Sequence, residues 1–220
     1  MVLNKEIISD AIPSLNLTDT VFQALDLMAD FHISHLPVVA EDKLAGLINE
    51  DDLLNVSGED LLSTMENYFS KINVQANGHF IEAVQRINEF SLTVVPVVDN
   101  ESGYVGSISA IDLLKQLGKF IGANDPGGII VLEMEKVNFS FSEISKLVET
   151  NDAQITQLNT FSDIQSGFFY VTLKINKFEI ADIIATFQRY DYIVKYYFGE
   201  ELYQNELRDN YDHLMNYLGI

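Results

Sequence analysis

Apolar residues recur at helical spacing in several places along this chain. Val21, Leu25, Met28 and Phe31 form one such stripe and Phe80, Val84, Ile87 and Phe90 a second. Phe141, Ile144, Leu147 and Val148 form a third, and Ile180, Ile183, Ile184 and Phe187 a fourth. Residues three and four apart share one face of a helix, so each stripe predicts a helix with one buried side. Thr18 or Asp19 is placed to cap the first. Short β-branched runs follow the first two stripes, Pro37-Val38-Val39 and Pro96-Val97-Val98. Proline has no N–H to donate to a ladder, so it belongs at the first residue or the edge of a strand. Glu41-Asp42 and Asn100-Glu101-Ser102-Gly103 read as hairpin turns. A second strand then runs through Gly46 or Gly106 to Asp52-Leu53-Leu54 or Asp112-Leu113-Leu114, which opens another helix.

The pattern occurs twice because the sequence does. Thr20–Leu54 and His79–Leu114 align with one inserted residue and about ten identities, at a spacing of about 60 residues. Each copy reads strand, helix, strand, strand, helix. One copy leaves a one-sided apolar sheet, which two copies cover together.

After the turn-forming run Asn124-Asp125-Pro126-Gly127-Gly128, aromatic residues become dense and a new order begins. Gly128–Lys136, Ile155–Phe161, Phe168–Ile175 and Val194–Phe198 read as strands around the last two helices. The order βαββαβ predicts a sheet with two helices on one face, a ferredoxin-like sandwich. Tyr203, Leu207, Tyr211, Leu214 and Leu218 continue as an apolar stripe, so 200–220 reads as a terminal helix. It docks either on its own domain or on a second subunit.

Composition narrows the partners. The 220 residues carry 13 Lys and Arg against 33 Asp and Glu, a net charge of −20, and 47% are hydrophobic. That apolar content supports a folded core. The negative charge argues against nucleic acid and anionic membranes as partners, since both recruit basic surfaces. No cysteine is present, which excludes disulfides and thiolate chemistry. The first ten residues lack the apolar run of a signal peptide, and no stretch approaches ~18 uninterrupted apolar residues. A cytoplasmic protein is the resulting expectation. No phosphate-binding glycine loop, His-Glu-x-x-His or Gly-x-Ser-x-Gly occurs, and the expectation is a protein that is not an enzyme. His32 and His35 are three apart with no third ligand nearby, so no metal site is predicted.

The two copies resemble a tandem pair of CBS domains. The resemblance rests on Ala24 and Met28, Ile33 through Val39, and Gly46 through Asp52 in the first copy. In the second it rests on Ala83 and Ile87, Leu92 through Val98, and Gly106 through Asp112. It implies a compact module with clefts between the copies in which adenosine-containing ligands lie. Carried over residue by residue, it places Asp52 and Asp112 on a ribose diol and Ser109 on a phosphate. Asn49 stands where the family usually has Thr or Ser. Gly46 and Gly106 allow close backbone approach, and His35 is placed to line the base pocket. Asp52, Asp112 and Ser109 serve equally well as caps of the helices that follow. Residues 1–120 contain six Lys and Arg against 18 Asp and Glu, which favours AMP, adenosine or another adenosyl ligand of low charge over ATP. No cofactor is required.

Residues 127–199 resemble an ACT domain in element order and periodicity. That family often has a glycine in the loop after the first strand, whereas here the loop is Lys136-Val137-Asn138-Phe139-Ser140. The departure favours self-association over amino-acid binding. The whole arrangement resembles the acetoin-utilisation accessory type of CBS protein. The expected fold class is α+β, with a CBS pair over 1–122 (copies 7–56 and 68–118), a linker over 123–128 and an ACT-like domain over 129–220. The resemblance implies a regulatory, non-catalytic ligand sensor, a homodimer that acts on a partner enzyme or regulated protein. The alternative is a ligand-free interaction protein that dimerises through both halves.

Overall fold

A computed structural model describes residues 2–199. The predicted terminal helix at 200–220 lies outside the described residues. The described residues divide into two compact units, one up to Phe120 and the other from Ile121.

The first unit contains two three-stranded sheets of the same design. In one, β1 (Leu15–Asn16) pairs parallel with β2 (His35–Ala40), which pairs antiparallel with β3 (Lys43–Asn49). In the other, β4 (Val74–Gln75), β5 (Val94–Val98) and β6 (Tyr104–Ser109) repeat the order. Helices α1 (Val21–Phe31) and α3 (Ile81–Phe90) cross between the first and second strands of each sheet. Thr20, rather than Thr18 or Asp19, caps α1: its hydroxyl accepts the Gln23 N–H at 3.2 Å, and the Gln23 side chain accepts the Thr20 N–H at 2.8 Å. This reciprocal pair satisfies two otherwise orphaned donors. Glu41 and Asp42 both have positive φ, as a tight hairpin turn requires.

The helices α2 (Glu50–Leu53) and α4 (Ala110–Phe120) begin two residues before the aspartates expected to open them. The cap position belongs to Asn49 and Ser109, so Asp52 and Asp112 are not caps but third-position residues of the first turn. β2 from His35 to Val38 and all of β5 are buried on both faces. The reason is exchange between the copies: Val94 of the second copy joins the first core, and Leu47 of the first joins the second.

Each copy also takes up a strap from outside its own sheet. Residues 2–9 run along the second copy, with the Asn4 N–H on Gly78 O at 2.9 Å and the Ser9 N–H on Ser107 O at 2.8 Å. Ser70 pairs reciprocally with Leu47 of the first copy at 2.8 and 2.9 Å. Gly46 and Gly106 sit under these straps. A Cβ at Gly46 would lie 2.6 Å from Phe69 Cβ, and one at Gly106 would lie 2.6 Å from Ile8 Cγ2. The strap at Phe69–Ser70 accounts for Gly46 and the Ile8 side chain for Gly106, with no ligand needed.

The second unit is a four-stranded antiparallel sheet in the order β10-β7-β9-β8. Its strands are β7 (Ile129–Met134), β8 (Ile155–Ser162), β9 (Phe169–Ile175) and β10 (Ile193–Phe198). Helices α5 (Phe141–Glu149) and α6 (Ala181–Arg189) pack on one face through Ile144, Leu147, Val148, Ile183 and Phe187, against Leu132, Val171 and Leu173. This is the predicted ferredoxin-like sandwich. The expected linker 123–128 is not free chain at its end. The Gly128 N–H donates to Lys177 O at 3.0 Å, and the Ile175 N–H donates to Gly128 O at 2.8 Å. A Cβ on Gly127 would fall 1.8 Å from Ile175 O, so only glycine fits there. Among the described residues, no helix is long and apolar enough to cross a membrane.

Candidate functional site

The chemistry of the first unit concentrates at the start of α4. Ser109 ends β6, is 7% exposed, and accepts the Asp112 N–H on its hydroxyl at 3.0 Å. The same hydroxyl donates to Asp112 Oδ2 at 2.8 Å. Ser9 arrives on the N-terminal strap and closes the cluster: its Oγ accepts the Ser109 N–H at 2.9 Å and donates to Asp112 Oδ2 at 2.6 Å. Lys115, one turn along α4, donates to Asp112 Oδ1 at 2.9 Å. Three donors therefore converge on one carboxylate, and the negative form is favoured. The Ser9 hydroxyl, then Lys115 and Ser109, lower the Asp112 pKa to about 2. Asp112 nonetheless remains accessible, with 38% of its side chain exposed.

Ser9 was invisible as a site residue in the sequence. It lies 100 positions from Ser109 and outside the repeated segments, so no spacing rule connects them. The one available signal was weak: the strap 2–9 carries the apolar residues Val2, Leu3, Ile7 and Ile8 outside the two aligned segments.

The first copy does not reproduce the cluster. Asn49 accepts the Asp51 N–H at 3.2 Å and so spends its side-chain oxygen on capping α2. Ser70 occupies the strap position that Ser9 holds in the second copy, but its hydroxyl accepts the Ile72 N–H at 3.3 Å. Asp52 is half-buried and, among the described residues, makes no side-chain hydrogen bond. The sequence grouped Asp52 with Asp112; the structure gives them different surroundings because Asn49 cannot bridge as Ser109 does.

His35 starts β2 opposite Asn49 and is 8% exposed. Its Nδ1 accepts the Thr93 N–H at 3.3 Å and lies 3.1 Å from the Thr93 hydroxyl, which accepts the Ser34 N–H at 3.0 Å. These bonds tie the two copies at their junction. An accepting Nδ1 requires the neutral ring with its proton on Nε2. Burial lowers the His35 pKa, opposed by the nearby carboxylates of Asp51, Asp52 and Glu50. His32, by contrast, ends α1 in the left-handed conformation.

The second unit holds a cavity of about 630 Å³ between the end of β7 and the start of β10. Its lining includes Glu135, Asn138, Glu143, Asp191 and Tyr192, with no Lys or Arg among the lining residues. Burial and the Glu143 carboxylate raise the Tyr192 pKa to about 12. Glu133, also in the lining, is paired with Lys195 at 2.9 Å, so the carboxylates that an entering anion meets are Glu135, Glu143 and Asp191.

The CBS domain family model matches residues 5–59 and 71–119. Inosine-5′-monophosphate dehydrogenase of Aquifex aeolicus is 32% identical over 100 residues, 44% of this chain and 20% of that protein. The enzyme of the same name from Methanocaldococcus jannaschii is 28% identical over 147 residues, 66% of this chain and 29% of its own length. The chain thus spans less than a third of these curated relatives. Among solved structures, a CBS domain pair/ACT domain protein from Thermotoga maritima is similar in fold, with a TM-score of 0.50 and 22% identity over 55% of this chain and 99% of that one. Duplicated sequence, paired sheets with exchanged core residues, and a family match to each copy converge: the first half of this chain is a tandem pair of CBS domains.

Proposed function

We propose that the CBS pair is a regulatory module that binds an adenosine-containing ligand of low charge, AMP or adenosine, at the second-copy cluster. The observation that carries this reading is the Ser9–Ser109–Asp112 arrangement at the start of α4. An ionised carboxylate accepts both hydroxyls of a ribose diol, and the Ser109 hydroxyl beside the helix start suits a phosphate oxygen. Asp112 Oδ2 already holds two hydroxyl donors, so a ribose hydroxyl takes the place of the Ser9 hydroxyl on that oxygen. His35 and Asn49 support the junction and the first-copy helix rather than the ligand, and Asp52 serves at most a second, weaker site. Six basic residues against 18 acidic ones in this unit disfavour ATP.

The module acts without catalysis, as a cytoplasmic homodimer whose ligand state is read by a partner enzyme. Its ACT-like half contributes association rather than amino-acid capture, because an α-carboxylate entering the acidic cavity meets Glu135, Glu143 and Asp191, while Lys195 nearby is already paired with Glu133. Isothermal titration with AMP, adenosine and ATP tests the sensor reading. Binding of AMP that Asp112→Asn abolishes and Asp52→Asn leaves intact is expected. The absence of both heat and thermal shift at millimolar ligand removes the reading.

One observation favours a second reading, an interaction protein with an empty pair. The Asp112 carboxylate is already satisfied by Ser9, Ser109 and Lys115, so the cluster is stable without a ligand. Under that reading Asp112→Asn lowers the melting temperature and changes no affinity.

A further inference from the structure

The strap formed by residues 2–9 grips the second copy at its two ends. At the outer end the Asn4 N–H donates to Gly78 O at 2.9 Å, the Lys5 N–H to Ala76 O at 3.0 Å, and the Phe80 N–H to Val2 O at 3.2 Å. At the inner end Ser9 makes three bonds. Its N–H donates to Ser107 O at 2.8 Å, its Oγ accepts the Ser109 N–H at 2.9 Å, and its hydroxyl donates to Asp112 Oδ2 at 2.6 Å. Between the ends the Glu6 and Ile7 N–H groups turn back on the strap itself, to Leu3 O at 3.0 Å and Asn4 O at 3.2 Å. Ser107 and Ser109 belong to β6, an edge strand of its sheet.

Two independent observations weaken this grip. At the outer end Asn4 is fully buried, and its Oδ1 has no hydrogen-bond partner among the described residues, although its Nδ2 donates to Gln75 O at 2.8 Å. A buried acceptor without a partner opposes the docked state, and undocking returns it to water. At the inner end the contact is contested. Asp112 Oδ2 holds the Ser9 and Ser109 hydroxyls, which fill its two lone pairs, so any third donor displaces one of them. Ser109 is fixed as the last residue of β6 and accepts the Asp112 N–H, whereas Ser9 sits on the strap. Ser9 is itself only 8% exposed. A Ser9 hydroxyl turned away in place would stay buried without a partner, so moving out with the strap is the favoured response.

We propose that residues 2–9 are a releasable strap latched by Ser9 on Asp112, and that a ligand hydroxyl on Asp112 Oδ2 opens the latch. The ligand half of this inference rests on the nucleoside site proposed above. Release uncovers Ser107 O and the Ser109 N–H on the outer edge of β6, an acceptor and a donor that an extended segment of a partner can take up. Ligand and docked strap exclude each other, and linkage makes the effect reciprocal.

Amide hydrogen exchange of the whole chain, read by mass spectrometry, tests both halves. Without ligand, residues 2–9 are expected to exchange at least roughly tenfold faster than residues 94–98 of β5, at a rate that dilute urea leaves unchanged, because the strap opens without unfolding. Equal protection of the two segments overturns the releasable strap. With AMP as the probe, and its binding established by calorimetry, exchange in 2–9 is expected to rise roughly tenfold further while 94–98 exchanges no faster. AMP that binds and leaves 2–9 unchanged or slower overturns the latch while the nucleoside site stands. No heat from AMP sinks the nucleoside site and the ligand half together, and the comparison without ligand then decides the strap alone.

Discussion

At the residue scale the second-copy cluster rests on Ser9. Ser9→Ala removes the hydroxyl that donates to Asp112 and leaves the buried Ser109 N–H without its acceptor. A buried donor left unpaired costs about 1–3 kcal/mol, so urea denaturation is expected to show a loss of that size. The same change frees a lone pair on Asp112, so, if the proposed site binds AMP, Ser9→Ala is expected to bind it more tightly than the parent by calorimetry. Weaker binding would mean that Ser9 holds the site open rather than competing for it. His35 gives a pH dependence whose sign is fixed. Its folded pKa lies below the usual 6.5 because burial disfavours the charged ring. Above 6.5 the ring is neutral in both states and costs nothing. As pH falls below 6.5 the unfolded chain takes up the proton first, so stability declines until folded His35 is itself protonated. Thermal melts between pH ~7 and ~5 are expected to fall less steeply in His35→Gln, whose amide oxygen still accepts the Thr93 N–H. Asp112 acts in the same direction at lower pH: with a folded pKa of about 2, against 3.8 ordinarily, its contribution is complete above 3.8 and is lost as pH falls through about 2.

The elements show which local rules won. Hydrophobic period placed α1, α3, α5 and α6 and every strand of the second unit to within about two residues, because each buries one side against a core. Caps were less legible. Thr18, Asp19 and Thr20 are all good cap residues, and Gln23 three positions on decides for Thr20. Thr20→Ala is expected to cost ~1 kcal/mol in a chemical denaturation series, with Thr18→Ala nearly neutral. The two glycines under the straps differ in what a methyl group would meet. At Gly46 it collides with Phe69 Cβ and with Ser70 O at 2.9 Å, both fixed by the strap's pairing; at Gly106 it meets the Ile8 side chain, which can rotate. Both glycines also have a positive φ, +159° at Gly46 and +156° at Gly106, which alanine rarely adopts. Each change is therefore expected to cost about 1–3 kcal/mol, with Gly46→Ala the larger because its clash is with the fixed strap, as urea midpoints test.

For the whole molecule, two units with separate cores imply separate folding. A chain ending at residue 120 is expected to keep its far-ultraviolet circular dichroism and a single cooperative melt; a molten 1–120 would show that the second unit is required. By itself the sequence determined the duplication, the αβ order of both halves and the ferredoxin-like arrangement. All of these are written in short-range periodicity or in repeated residues. Only the tertiary structure decided that Ser9 completes the second-copy cluster, that Val94 and Leu47 exchange cores, and that Asp52 and Asp112 have unlike surroundings. Each depends on residues about 50 to 100 positions apart being brought within hydrogen-bonding or van der Waals distance. A linear pattern records which side of an element is buried, but not which distant side chain meets it there.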